Sequence, residues 1–265
     1  MPNQLPLSAV LITLNAEARL ENTLESLKFC SDLVVVDSGS KDRTLEIARR
    51  YGARIFYQEW TGFGPQKRFA VEQAQYNWVL CLDADEEVSQ PLLQEIESLF
   101  KGSIDTGIAG FEFPRCNAFL GRFLRHGEGY PDYSKRLFHR LRAQWTHDEV
   151  HERVEATQGL PFNKLKGDLM HHSAECLSTY MTKQNRYTDL QASDLADRGK
   201  WPSALKLAGS PLIRFIKFYF VRLGFLDGWQ GFVHISIGCF NSFMKYAKTR
   251  ALMAKLPHDE ETREK

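Results

Sequence analysis

The sequence lacks an apolar run of the roughly 20 residues that a simple membrane-spanning helix needs. Residues 228–244 come nearest, free of formal charge but interrupted by Gln230, His234 and Asn241. Disulfide and zinc spacings are missing too. The five cysteines (Cys30, Cys81, Cys116, Cys176, Cys239) are scattered, odd in number and without a CxxC pair, which argues for a reducing compartment. Net charge is almost absent, +1 from 34 basic and 33 acidic residues, so the whole-chain balance favours no polyanionic partner. The glycines of TGFGPQKR (61–68) lack the GxGxxG spacing, and no GKS or GKT occurs. A dinucleotide fingerprint and a phosphate loop are therefore excluded. No basic stretch precedes the first apolar run, which meets Asn15 too early for a signal peptide and reads as a strand. A cytoplasmic location is the expectation, with the membrane surface left open.

What is present is an alternation. Residues 8–14, 33–36, 53–57 and 78–82 are short β-rich runs, and 20–29, 44–51 and 66–75 between them have helical spacing. Strand and helix at this interval predict an α/β fold with a mostly parallel central sheet covered on both faces. In such sheets ligands collect beyond the carboxyl ends of the strands. Asn15, Asp37 and the acidic run from Asp83 to Glu87 would converge there, with Ser38 and Asp42 in the turn after the second strand. Asp42 has helix capping as an equal alternative. Further strands are expected at 110–114, 135–139 and 151–155. The division expected is a catalytic domain over 1–202, a basic helical region over 203–256 and a flexible tail over 257–265. Within the first, 1–102 would bind the donor and 103–202 the acceptor and catalytic groups.

The strongest single feature is LCLDADEE (80–87). Two carboxylates one residue apart at the end of a buried strand repel each other, and a divalent cation removes that cost. Asp83 and Asp85 suit Mg2+ or Mn2+, which leave positions for substrate phosphates. Lys67 and Arg68 are placed to approach a diphosphate, or else are solvated charge at a helix start. THDEVHERV (146–154) offers Asp148, His151 and Glu152 as general bases. If it is a strand, Glu152 shares a face with Val150 and Val154, and apolar flanks make a carboxylate a more effective base. His171 and His172 are candidates for a metal or phosphate contact.

From Lys206 to Lys255 there are eight basic residues and one acid, Asp227, among long apolar segments rich in the chain's 18 phenylalanines. On a helical wheel Lys206, Arg214, Lys217 and Arg222 share one side, and His234, Asn241, Lys245, Lys248 and Lys255 form a stripe. Apolar bodies with basic edges suit an anionic membrane surface rather than a nucleic acid. Mutual packing or a dimer interface is the ordinary alternative, and oligomeric state stays open.

LSAVLITLN, LVVVDSGSKDRT and WVLCLDADEE, in this order, resemble an inverting family-2 glycosyltransferase. GFGPQKRFAVEQA, PDYSKRLFHR, VHERV, FYFVRLGFLDGWQGF and FMKYAKTRA narrow the resemblance, over about residues 7–255, to the bacterial lipopolysaccharide core β-glucosyltransferase subgroup. It implies a GT-A type nucleotide-binding fold with a C-terminal helical extension, a UDP-sugar donor and a lipopolysaccharide inner-core heptose as acceptor. It also implies work at the inner face of the cytoplasmic membrane. By the same likeness Asp37 contacts uridine, supported by Asn15 and the turn from Ser38 to Asp42. Asp83 then sits near ribose and metal, Asp85 ligates the metal, and the base falls in the VHE segment, at Glu152 ahead of Asp148. Residue patterns alone leave two rivals: a nucleotidyltransferase using a sugar phosphate, and a non-catalytic glycan-binding or scaffold protein.

Overall fold

The computed structural model describes residues 4–102, 104–148, 152–173 and 176–255. The chain forms two compact units, one of residues 1–117 with 131–173, the other of 118–130 with 174–265.

The first unit is built in the expected rhythm. β1 (Leu5–Thr13), α1 (Leu20–Glu25), β2 (Cys30–Asp37), α2 (Thr44–Arg50), β3 (Arg54–Tyr57), α3 (Phe63–Glu72) and β4 (Trp78–Asp83) alternate without exception. β5 (Glu86–Val88), α4 (Gln90–Lys101) and β6 (Gly110–Phe119) follow. After β7 (Arg122–Phe123) come β8 (Asp132–His139), β9 (Ala143–Trp145), β10 (Val154–Ala156), β11 (Phe162–Lys164) and β12 (Leu169–His171). The sheet order is β3-β2-β1-β4-β8-β6-β12-β5. The four strands β3 to β4 in that path are parallel, as read from the sequence. Beyond them the sheet is mixed: β8 runs antiparallel to both β4 and β6, and β5 antiparallel to β12.

Alternation within the strands builds two cores. Leu7, Ala9 and Leu11 of β1, with Leu80 and Leu82 of β4, pack under Leu20, Leu24, Leu92 and Ile96 from α1 and α4. Val10, Val34, Val36, Val79 and Cys81 face the other way, against Ala70 and Val71 of α3, Trp145 and Val154. Each such Leu or Val contributes about 1.5–3 kcal/mol by leaving water. α4 starts on Ser89, whose hydroxyl accepts from the Leu92 N–H, with Pro91 in its first turn.

The second unit is helical. α5 (Leu177–Asp197), α6 (Ala204–Phe215) and α7 (Gly228–Lys255) are joined by a π-helical turn over Ile216–Val221 and a 3₁₀ turn over Gly224–Asp227. The single wheel drawn through 206–222 does not hold, because the backbone winds differently after Phe215 and Leu223 takes a left-handed φ of 55°. Arg214 turns inward, its guanidinium paired with Glu128 and bonded to the Ser242 hydroxyl at 2.8 Å. In α7, Asn241 bonds Gln184 and Lys248 pairs with Asp189 at 2.6 Å, so these stripe residues form a polar seam with α5. Exposed instead are Leu205, Leu212, Ile213, Phe220 and Val221, and α6 has no buried residue at all.

Candidate active site

Parallel pairing sets the site. Thr13 lies opposite Asp37, and Ile12 opposite Asp83, so β1, β2 and β4 end level with one another. Asp37 is buried. Its carboxylate accepts from the Thr13 hydroxyl at 2.9 Å and from the backbone N–H groups of Gly39 and Ser40 at 2.9 and 2.8 Å. Gly39, with φ of 100°, supplies a turn that a residue with a side chain rarely adopts. Asn15, itself left-handed, accepts from the Lys41 N–H and donates its own N–H to the Ser40 hydroxyl. Ser38 accepts from Gln66 at 2.9 Å. Asp42, one residue before the N-cap Arg43 of α2, accepts from the N–H groups of Thr44 and Glu17. Partial burial works against its charge, and these bonds outweigh it, holding the carboxyl below its ordinary range.

The acidic run is organised by cations that stand far from it in sequence. Arg136 in β8 reaches Asp83 at 2.8 Å and Glu86 at 2.9 Å, and Lys67 in α3 reaches Asp83 at 3.1 Å. Lys67 also holds Glu152 at 2.7 Å. Glu86 accepts the Asp83 N–H, and Arg115 stands 3.6 Å from it while pairing with Asp132. The indole of Trp145 underlies both cations, 4.7 Å from the Lys67 ammonium and 5.6 Å from the Arg136 guanidinium. Arg68 donates to the Trp145 carbonyl at 2.9 Å.

The electrostatics follow from burial and neighbours. Burial opposes charge on Asp83, but Arg136 and then Lys67 hold its carboxyl well below the usual range. Burial pushes Glu86 up against the pull of Arg136, and the Asp83 charge adds to the push. Arg136 is itself buried, yet Asp83 and Glu86 keep it more firmly protonated than a free arginine. Desolvation raises the Cys81 thiol to about 11, and the Trp145 N–H points at its sulfur from 3.2 Å.

Asp85 is the more open of the two aspartates. Its Oδ2 lies 3.4 Å from His171 Nε2. Asn117 Oδ1, an acceptor only, sits 2.7 Å from His171 Nδ1, so Nδ1 donates to it and the Nε2 of a neutral His171 keeps its lone pair for a ligand bond. Two ligands at about 2.1 Å from an octahedral cation lie about 3 Å apart, close to this spacing. His172 pairs with Glu87 at 3.1 Å and donates its backbone N–H to the Asp85 carbonyl. Among the described residues no group of three or more His, Cys, Asp or Glu could hold a metal unaided. Asp85 and His171 therefore fit a cation that takes its other ligands from substrate and water.

Sequence reasoning and structure differ around the candidate bases. Glu152 is not on a strand; it precedes β10, and it forms an ion pair with Lys67. Asp148 is exposed in the loop between β9 and β10. His151 lies outside the described residues. The repulsion expected between Asp83 and Asp85 is met at Asp83 by Lys67 and Arg136. Arg115, Arg136, Trp145 and Asn117 were missed, and Glu86, read only as part of the acidic run, is fully buried. One signal existed: Arg136 sits beside Leu137 and Phe138, and an arginine inside an apolar strand needs a buried acid. Close packing at Gly64 fixes α3 here, since a Cβ there would lie 2.5 Å from the carbonyls of Thr146 and Asp148.

A mostly parallel central sheet, covered by helices and with acids gathered at its carboxyl edge, is the GT-A-like α/β fold of a glycosyltransferase. The chain belongs to glycosyl transferase family 2, whose family model matches residues 8–167. It is 31% identical over 264 residues to the lipopolysaccharide core biosynthesis glycosyltransferase LpsC of Rhizobium meliloti, covering 92% of each chain. An uncharacterised glycosyltransferase of Rickettsia prowazekii is 34% identical, with 94% of this chain and 88% of that one covered. Among solved structures, Staphylococcus aureus TarS 1–349 in complex with UDP-GlcNAc aligns with a TM-score of 0.46 at 14% identity, over 94% and 90% of the two chains.

Proposed function

We propose that this glycosyltransferase moves a hexose, glucose by preference, from a UDP-sugar to a heptose of the lipopolysaccharide inner core with inversion at the anomeric carbon. The observation that carries the reading is the single constellation of Glu152, Lys67 and Asp83, with Asp85 and His171 beside it. The family and the likeness to LpsC support the reaction class and the kind of acceptor.

In this reading the loop tied together by Asp37, Asn15 and Ser38 receives the uridine, and Asp83 meets the ribose. Asp85 and His171 hold Mg2+ or Mn2+, which when bound supplies Lewis-acid stabilisation of the departing diphosphate. Lys67 and Arg136 add fixed positive charge nearby without reorganising. Glu152 takes the proton from the attacking hydroxyl, and only its Oε1 is occupied by Lys67. Residues 1–102 serve the donor, 103–202 the acceptor and chemistry, and 203–256 the membrane; the segment 257–265 lies outside the described residues.

A screen of UDP-sugars against defined core oligosaccharides with Mg2+ or Mn2+, read by product mass, tests this reading. Addition of one hexose supports it. Pyrophosphate release from a nucleoside triphosphate, or binding without turnover, replaces it with one of the rivals. For the metal, Asp85→Asn is expected to weaken Mn2+ binding to the UDP complex, while metal-free UDP affinity stays unchanged. Asn117→Ala, which removes only the support of His171, costs about 10–100-fold in metal affinity. Calorimetry showing wild-type Mn2+ affinity in both variants would remove Asp85 and His171 from the metal site.

Attachment to an anionic membrane surface is supported by the outward apolar residues of α6 and the turn after it, with Lys206 and Lys217 exposed among them. No helix among the described residues is long and apolar enough to cross a membrane. Flotation with anionic vesicles should show a salt-sensitive part, lost in Lys206→Glu/Lys217→Glu, and a salt-resistant part, lost in Ile213→Glu/Val221→Glu. Wild-type protein that stays unbound at low salt assigns this face to another partner.

A further inference from the structure

The loop between β3 and α3 and the first residue of α3 carry two large aromatic rings that no feature so far described uses. Trp60 and Phe63 are each 44% exposed, and their rings meet edge to face with centroids 4.8 Å apart. They are not on a loose segment. Gln58 at the start of the loop donates its N–H to the Asp37 carbonyl, and its own carbonyl accepts from the buried Gln66 in α3. Gly62, at φ of 107°, makes the turn into the helix, and Gly64 is pressed against the backbone of Thr146 and Asp148. Both ends of the pair are therefore fixed, while the rings themselves face water.

Their position is specific. The Phe63 ring centre lies 5.8 Å from the Lys67 ammonium, the group that joins Asp83 to Glu152. Gly64, next in the chain after Phe63, lies against the backbone of Thr146 and Asp148, the segment that leads toward Glu152. Exposed aromatic surface is costly in water, and where it borders a polar reactive centre it marks a ligand face. A pyranose presents such a face with a patch of C–H groups and hydroxyls around its rim. An aromatic ring complements that patch, and Asp148 and Glu152 complement the hydroxyls.

We propose that Trp60 and Phe63 form the stacking shelf for the acceptor's terminal sugar ring, turning its attacking hydroxyl toward Glu152. The inference rests on the reading of Glu152 and Lys67 as the reacting side of the site. It assigns an acceptor subsite to a loop that the donor half of the sequence contributes.

The test uses the full-length protein and a panel of soluble core oligosaccharides ending in heptose, in 3-deoxy-octulosonic acid or in hexose. Binding in the presence of UDP is read by saturation-transfer NMR, and turnover by product mass. Trp60→Ala and Phe63→Ala are expected to weaken binding of the oligosaccharide that wild type prefers by tenfold or more. The acceptor KM rises in parallel, and UDP affinity stays within twofold. Trp60→Phe, which keeps an aromatic face, recovers most of the loss. Oligosaccharide binding that both alanine variants retain overturns the shelf, as does a parallel fall in UDP affinity, which would make the rings a uracil platform. Normal saccharide binding with lost vesicle flotation reassigns them to the membrane. If wild type binds oligosaccharide through these residues but transfers no sugar to it, the shelf stands and the proposed acceptor falls.

Discussion

Replacing Glu152 by glutamine lowers kcat by about 10^2 to 10^4-fold, the usual cost of losing a general base. The amide keeps the shape of the side chain, and Lys67 retains Asp83 as a partner at 3.1 Å. Donor affinity and the melting temperature therefore change little. The measurement is acceptor-dependent turnover at saturating donor and acceptor, with UDP binding as the control. A variant as fast as wild type moves the base to Asp148. A variant that loses UDP affinity as well as rate makes Glu152 chiefly an anchor for Lys67, which the 2.7 Å contact also permits.

Removing Arg136 has the largest expected effect on stability. Among the described residues its guanidinium is the one cation that pairs with both Asp83 and Glu86, and Glu86 has no exposure to water. Arg136→Met keeps much of the volume but leaves Asp83 to Lys67 alone and the fully buried Glu86 to Arg115 at 3.6 Å, and breaking a buried pair in this way costs about 3–5 kcal/mol. For a unit of this size that is a fall in melting temperature on the order of 10 °C. Thermal unfolding followed by tryptophan fluorescence reports it. Glu86→Gln should cost less alone and recover part of the loss in the double variant, because the two residues are coupled. Additive effects, or a melting temperature within about 2 °C of wild type for Arg136→Met, would show that Arg136 is not what neutralises the buried acids.

These expectations mark how far the sequence could be read. Asp37, Asp83 and Asp85 were legible because each ends or follows an apolar strand, and in a parallel sheet strand ends are where polar groups collect. Glu152 was legible only as one of several acids in a polar segment. What distinguishes it is Lys67, 85 residues earlier in the chain, and no local pattern encodes that distance. The membrane-facing wheel misplaced Arg214 and Lys248 for a related reason. Periodicity assigns a residue to a face, whereas an acid on a neighbouring segment, Glu128 or Asp189, decides whether that face turns inward.

By itself the sequence determined the alternation of β1 to β4 with α1 to α3, the level strand ends that gather Asn15, Asp37 and Asp83, and the membership of glycosyl transferase family 2. These rest on local periodicity and short motifs, which act over a few residues and survive being read one segment at a time. Only the tertiary structure decided that Lys67 and Arg136 neutralise Asp83, that Glu86 is a buried acid, that Trp145 lies beneath both cations and that Asn117 orients His171. The places of Arg136 and Asn117 depend on β8 entering the sheet antiparallel to β4, with β6 beyond it, and those of Lys67 and Trp145 on how α3 and β9 pack against it. Charge pairing falls off steeply with distance, so it belongs to whichever side chains the fold brings within 3 or 4 Å and not to those adjacent in the chain.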